Sequence, residues 1–436
     1  MGFNLVKHIR EKDEYTVIWL FNIGVEKFLN GEVFTVKNKG EDVIVNHMEE
    51  MNLLIARQGD ILILRDAPDS VFLDSIKEVT GELPTIVCPS IQDEDKSISE
   101  IVLEDSVLVE KVRKLTDGRD DVIFVPYGVS YLEEEIAKKF GVELYGASSD
   151  IVKAVNNKVF SRRFAIEHSF VVPEGKICKG MDELESTAKE FLDKYGKIII
   201  KEPCGASGKG LWVAETPAKL KSALLIIKRF FKDDLNGEWL VEQWCDKQCD
   251  LNYQICIGAD GKVNVFSVKE QKVDGTVYTG SVIPPSFDES ITNECIRCGE
   301  TIGKDLYKFG YVGVLGIDAM LLSSDVLIPI VEINGRFTLS TYLSFINERF
   351  GLKDSKIFAF YKRMHLSEGD DYSSARSRLM QEDLWYNGKT DGAFIYTSET
   401  IRNKRVGDTG RLFTICIASD ESNMMNLYNR CNEVMA

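Results

Sequence analysis

The sequence predicts a multidomain protein, part open α/β and part α+β. Two observations carry that reading. Residues 1 to about 150 alternate short apolar runs with amphipathic stretches, the rhythm of a strand–helix repeat. From about residue 151 that rhythm breaks up, and strand-like segments follow one another around glycine-rich turns. The chain has 436 residues, enough for about two to four structural units. Hydrophobic residues make up 44%, ample for real cores.

In chain order, Tyr15 to Phe21 reads as a strand, and Asp60 to Arg65 and Val122 to Val125 as buried parallel strands. Ser70 to Val79 and Tyr131 to Phe140 read as helices, and Val142 to Tyr145 as a further strand. Pro89 to Glu104 is charged and poor in apolar residues, so it reads as a loop. Ser149 and Asp150 cap a helix that runs through Lys158 to about His168. Strands follow at Lys197 to Lys201, Leu211 to Ala214 and Trp239 to Glu242, with a helix at Pro217 to Phe231. Residues 250 to 285 read as antiparallel strands turning at Asp260-Gly261. A helix at 289 to about 309 leads into strands at Leu315 to Leu322 and Val326 to Ile333, then a helix from about Ser340. The last 75 or so residues hold strands at Gly392 to Thr397 and Leu412 to Ala418 and a terminal helix.

Composition excludes several classes. The formal net charge of −16 repels phosphate backbones, which argues against a nucleic-acid partner. The apolar run Tyr15 to Phe21 is too short for a signal core or a membrane span, so a cytoplasmic protein without a membrane partner is expected. Gly2 is present, but Val6 stands where a myristoylation site needs Ser or Thr. Cys295 and Cys298 share one face of the helix at 289 to 309 and have no second ligand pair nearby, so they read as structural thiols, not as a zinc site.

Three groups of residues carry chemistry. The first is Lys201-Glu-Pro-Cys-Gly205-Ala-Ser207-Gly208-Lys-Gly210. An apolar strand delivers a lysine into a glycine-rich loop, whose N–H groups can approach an anion closely. A strand follows the loop, so this is neither a P-loop nor a dinucleotide fingerprint, and alone it also suits an ordinary hairpin. The second group is Asp318, in Gly313 to Leu322, with Glu332, Asn334 and Arg336 in Val331 to Arg336. Alternation puts Glu332 and Asn334 on one face, where Asp318 on the neighbouring strand can join them. Three hard oxygen ligands suit Mg²⁺, or Mn²⁺, and Arg336 on the same side can grip a transferring phosphoryl group. The third group is Glu242, at the end of a strand, with Asp250 eight residues on. They suit an adenine edge and ribose hydroxyls, though such residues are common.

In this order the three groups resemble the ATP-grasp family over about residues 151 to 350. The resemblance implies that Lys158 and Lys201 contact ATP, and that Gly205, Ser207, Gly208 and Gly210 cover its phosphates. It implies that Glu242 marks the adenine hinge, that Asp318, Glu332 and Asn334 hold Mg²⁺, and that Arg336 and Lys201 act in catalysis. Cys249 stands where the family's ribose carboxylate usually falls, and Asp250 substitutes through a one-residue insertion. Gly59 to Leu64, Ala67-Pro-Asp69, Pro126-Tyr-Gly128, Phe140 to Gly146 and Asn157-Lys158 resemble the pre-ATP-grasp group, which holds peptide ligases and a carrier-protein glutamate ligase. The domains then run 1–150 (open α/β pre-ATP-grasp), 151–245 (lid and phosphate-loop lobe), 246–360 (metal and catalytic lobe of the two-lobed ATP-grasp fold) and 361–436 (a small C-terminal α+β extension).

The resemblance implies an ATP-dependent ligase that activates a carboxylate as an acyl phosphate. It leaves two acceptors open: an acyl-carrier-protein thiol charged with an amino acid such as glutamate, or an amine, giving an amide. A nucleotide-binding regulator without catalysis is a third reading, against which the full metal set and Arg336 speak. Arg402, Lys404, Arg405 and Arg411, with Arg376 and Arg378 upstream, offer a basic patch for an acidic carrier.

Overall fold

A computed structural model describes residues 4–9, 15–29, 44–204, 210–230, 237–275, 277–402 and 409–435. The first sheet is parallel, built from β1 (Thr16–Leu20), β2 (Ile61–Ile63), β3 (Thr85–Val87), β4 (Val122–Pro126) and β5 (Glu143–Leu144), in the order β3-β2-β1-β4-β5. Alternation along β1 sends Val17 and Trp19 into one apolar core and Ile18 and Leu20 into another. Both faces are thus covered, as a parallel sheet requires.

The second sheet is antiparallel, in the order β6-β9-β7-β8: β6 (Gly175–Lys179), β7 (Ile198–Lys201), β8 (Leu211–Ala214) and β9 (Glu238–Gln243). The helices Gly180–Tyr195 and Pro217–Phe230 back it. The third sheet has eight strands: β10 (Lys247–Ile257), β11 (Val263–Asp274), β12 (Val277–Ile283), β13 (Gly313–Leu322), β14 (Leu327–Asn334), β15 (Lys356–His365), β16 (Gly392–Ile395) and β17 (Thr409–Ala418). Their order is β14-β13-β10-β11-β12-β15-β17-β16, so the C-terminal strands prolong the sheet that begins at β10. The helix Glu289–Phe309 packs on β10 and β11 and buries Cys295 and Cys298.

The structure departs from the sequence reading in several places. Within the expected loop at 89–104, Ile98–Glu104 is a helix. Ser97 and Glu100 form a capping box, and Ile98, Ile101 and Val102, spaced i, i+3 and i+4, bury one helix face, a short signal outweighed by the charged residues around it. The expected helix from Ser149 to His168 is two helices, Ser149–Val155 and Lys158–Glu167. Asn157 interrupts it by capping the second, accepting from the N–H groups of Val159 and Phe160. β15 and the helix Tyr372–Gln381 stand in the C-terminal segment where no element was expected. Lys362, Arg363 and His365 make the end of β15 polar, and its place is set by pairing with β12 and β17. Arg411, expected in a basic surface patch, is buried over the Tyr361 ring.

The two ends of the chain meet at Glu50. Its carboxylate accepts from the N–H groups of Ser398 and Glu399 and from the Ser398 hydroxyl. Burial pushes this carboxyl up to about 8, against the pull of those donors. A folded-state pKa above the unfolded one means that folding takes up a proton. The stabilisation is complete below about pH 4.5 and is lost as pH rises towards 8. Glu50→Gln mimics the protonated form. Its urea midpoint should therefore exceed that of wild type by a margin that widens from pH 5 to pH 8, reaching a few kcal/mol on the scale of about 1.4 kcal/mol per pKa unit. A margin independent of pH would overturn this reading.

Candidate nucleotide and metal site

A cleft of about 240 Å³ opens between the second and third sheets. Alternation builds its upper wall. Ile198 and Ile200 of β7 enter the core behind the sheet, while Ile199 and Lys201 line the cleft. Glu242 lies opposite Ile199 on β9. Its carboxylate takes Lys201 Nζ at 2.6 Å on one oxygen and Arg162 Nη1 at 3.0 Å on the other. All three groups are buried, so Glu242 is committed to two cations where an open acceptor for an amino group was expected. The loop residues Gly205, Ser207 and Gly208 lie outside the described residues. Gly210 closes the base of the loop, accepting from the Glu202 N–H at 2.8 Å. Its φ is +76°, and Glu202 packs where a Cβ would stand, so the position requires glycine.

The floor comes from the third sheet. Asp318 on β13 is in register with Glu332 on β14 and with Asn252 on β10. Asp318 accepts from Asn252 at 2.9 Å, from Gln271 at 3.3 Å and from Asn334 at 3.0 Å. Glu332 pairs with Lys158 Nζ at 2.7 Å. Two carboxylates directly opposite on paired strands repel. Lys158 offsets one, whereas the hydrogen-bond partners of Asp318 among the described residues are all neutral amides. Burial, and then the charge of Glu332, push the Asp318 carboxyl up to about 6. A divalent cation would relieve that penalty, and the hard oxygen donors of Asp318, Glu332 and Asn334 suit Mg²⁺.

Lys158 reaches the floor because the helix break places it at the head of a new helix. Asn156, just before the break, accepts from the Gly335 N–H at 3.1 Å, between Asn334 and Arg336. Asp250 also lines the cleft and pairs with Lys247 at 2.5 Å. The pairing of β10 with β13 slips between Lys247 and Cys249, a bulge just before Asp250. Cys249 packs on the core, and Asp250 faces the cleft.

Arg336 differs from expectation. It lies beyond the end of β14, outside the alternation, and is not among the residues lining the cleft. Its Nε pairs with Glu26 of the first domain, and its Nη1 donates to the Tyr127 hydroxyl and the Phe337 carbonyl, both at 3.0 Å. Burial works against its charge, yet Glu26, Tyr127 and Glu332 hold its pKa above the ordinary guanidinium value.

Sequence reasoning did not single out Asn156, Arg162, Asn252, Gln271 or Glu26, and named Tyr127 only within the Pro126-Tyr-Gly128 motif. For Asn252 a signal exists. Asp250, Asn252 and Gln254 alternate with the buried Leu251, Tyr253 and Ile255, marking a polar face in a core strand.

Comparison with known proteins agrees with this architecture. Residues 163–339 match the family model of the ATP-grasp domain, and residues 48–142 that of the Pre ATP-grasp domain. The chain belongs to the ATP-grasp family and is a ligase of that family, preceded by a pre-ATP-grasp domain. Among curated proteins it is 27% identical over 396 residues to the [butirosin acyl-carrier protein]–L-glutamate ligase of Niallia circulans, covering 87% of each chain. Among solved structures it is similar in fold to the biotin carboxylase–β,γ-ATP complex from Campylobacter jejuni, with TM-score 0.58, 13% identity, and coverage of 97% of this chain and 92% of that one. It is likewise similar to the carboxyaminoimidazole ribonucleotide synthase from Aspergillus clavatus complexed with ATP, with TM-score 0.53, 13% identity, and coverage of 97% and 98%.

Asp318→Asn removes one of two opposed charges and keeps one acceptor oxygen for the neighbouring amides. The free protein should gain up to about 1 kcal/mol, the scale of a cross-strand pair. It should also lose the further stabilisation that Mg²⁺ with ATP gives the wild type. Urea midpoints with and without Mg²⁺ and ATP check this. A variant that Mg²⁺ and ATP stabilise as strongly as wild type would remove Asp318 from the metal set.

Proposed function

We propose that this protein activates the carboxylate of an amino acid such as L-glutamate with ATP and passes the acyl group to the phosphopantetheine thiol of an acyl carrier protein, in secondary-metabolite biosynthesis. The observation that carries the ATP-dependent step is the convergence of Lys158, Lys201 and the opposed Asp318–Glu332 pair on one cleft. Choice of the carrier thiol rests on similarity to the Niallia circulans ligase, which spans most of both chains. The reaction belongs in the cytoplasm, where ATP is at hand, and among the described residues no helix is long and apolar enough to cross a membrane.

The chemistry follows from what the groups can do. A substrate carboxylate oxygen attacks the γ-phosphorus, the bond to the ADP oxygen breaks, and an acyl phosphate forms. The carrier thiol then attacks the carbonyl, loses its proton, and expels phosphate. Lys158 and Lys201 would exchange Glu332 and Glu242 for phosphate oxygens, releasing both carboxylates from their ion pairs. Asp318, Glu332 and Asn334 would hold Mg²⁺, which when bound offsets the charge on the β- and γ-oxygens. With Glu242 held by Arg162, the adenine edge falls to the segment Gln243 to Cys245, which lines the cleft beside the apolar Ile199, Leu211 and Met320. Asp250 stands within the same cleft for the ribose hydroxyls. The loop from Gly205 to Gly210 would cover the phosphates and keep water from the acyl phosphate.

An amine acceptor is the second reading. What favours it is the poor showing of the basic patch. Arg411 is buried, Arg402 pairs with Glu399, and Arg378 pairs with Asp370. Lys404 and Arg405 lie outside the described residues. Product analysis decides. With ATP, amino acids and a phosphopantetheinylated carrier, ADP and phosphate should appear with an acylated carrier in equal amounts. AMP and pyrophosphate would reject the acyl-phosphate mechanism. ADP release that needs only free amino acids and yields a dipeptide would reject the carrier.

A further inference from the structure

The ion pair between Glu26 and Arg336 joins the first domain to the end of β14, and its position is informative. In the order β3-β2-β1-β4-β5 the chain leaves β1 towards one edge and β4 towards the other. Open parallel sheets bind ligands in the crevice beyond the carboxyl ends of two such strands. Here that crevice is bounded by Phe21 to Glu26 after β1 and by Tyr127 and Gly128 after β4. Asn22 pins its base by exchanging two hydrogen bonds with Gly128, at 2.8 and 3.2 Å. A Cβ on Gly128 would stand 3.3 Å from Arg336 Cβ, so the arginine sits directly on the crevice.

Glu26 and Arg336 are both largely out of water, at 15% and 9% side-chain exposure. Such a pair is a poor device for stability, because desolvation offsets most of the attraction. It suits a ligand that brings one charge of each sign. An α-amino acid does so, offering an ammonium to the carboxylate and a carboxylate to the guanidinium. Arg336 also lies two residues beyond Asn334, whose amide holds Asp318, so a ligand gripped there adjoins the metal floor.

The geometry points to Glu26 as the residue that recognises the ammonium of an α-amino-acid substrate, with Arg336 taking the carboxylate as their own ion pair opens. This rests on the ligase reading above. It makes Glu26 a specificity residue contributed by the first domain. A buried carboxylate left facing a methylene is unpaired, so an acid without the amine should be rejected strongly.

The test compares the amino acid that supports fastest ADP release by the full chain with its des-amino counterpart. For wild type, kcat/KM should favour the amino acid by about 100-fold or more. Glu26→Gln should cut that ratio at least about tenfold, by loss on the amino acid alone, and leave KM for ATP unchanged. Glu26→Asp, which keeps the charge, should retain part of the preference. Equal losses on both substrates, or an unchanged ratio, would reduce Glu26 to a tie between domains and overturn the inference alone. Absence of ADP release with every amino acid would instead sink the ligase reading, and this inference with it.

Discussion

The site is organised by a conflict between two charges. Asp318 and Glu332 face each other across β13 and β14, and β-sheet register holds them there with no freedom to turn away. Every neighbouring polar group answers that conflict. Asn252, Gln271 and Asn334 donate to one carboxylate, and Lys158 pairs with the other. Lys158 arrives only because Asn157 ends one helix and starts the next, and Asn156 binds that junction to Gly335. The protein thus keeps an unfavourable arrangement rigid, as a cation site of the kind proposed would require.

The second wall is charged in the same manner. Lys201 is held by Glu242, and Glu242 by Arg162. In both walls a lysine is paired with a carboxylate. On the proposed reading a polyanion entering the cleft would displace those carboxylates, and the nucleotide and metal sites would become available together. Such a coupling would be electrostatic.

Much of this was legible in the sequence. Buried strands such as Val122 to Val125 are nearly uniform apolar runs, and Asp318, Glu332 and Asn334 follow from strand parity alone. Parity fails where regular structure stops. Arg336 lies past the last residue of β14, and its direction is set by Glu26, more than 300 residues away. Ion pairs such as Lys201–Glu242 join strands whose pairing no local pattern encodes. The helix Ile98–Glu104 escaped because its apolar face spans only about a turn and a half within a charged segment, and β15 because Lys362, Arg363 and His365 give its end the look of a surface loop.

The continuation of the third sheet by β15, β16 and β17 bears on how the protein is made. β12 has β15 as its outer partner, and β17 lies beyond, so a chain still lacking residues after about 355 exposes the edge of β12. Ser398 and Glu399 must also be present before Glu50 is satisfied in the first domain. During synthesis the amino-terminal half therefore emerges with a buried acid unanswered and a sheet unfinished. The sheet is complete only once residues 356 to 418 are present, and a product ending before them carries an open strand edge.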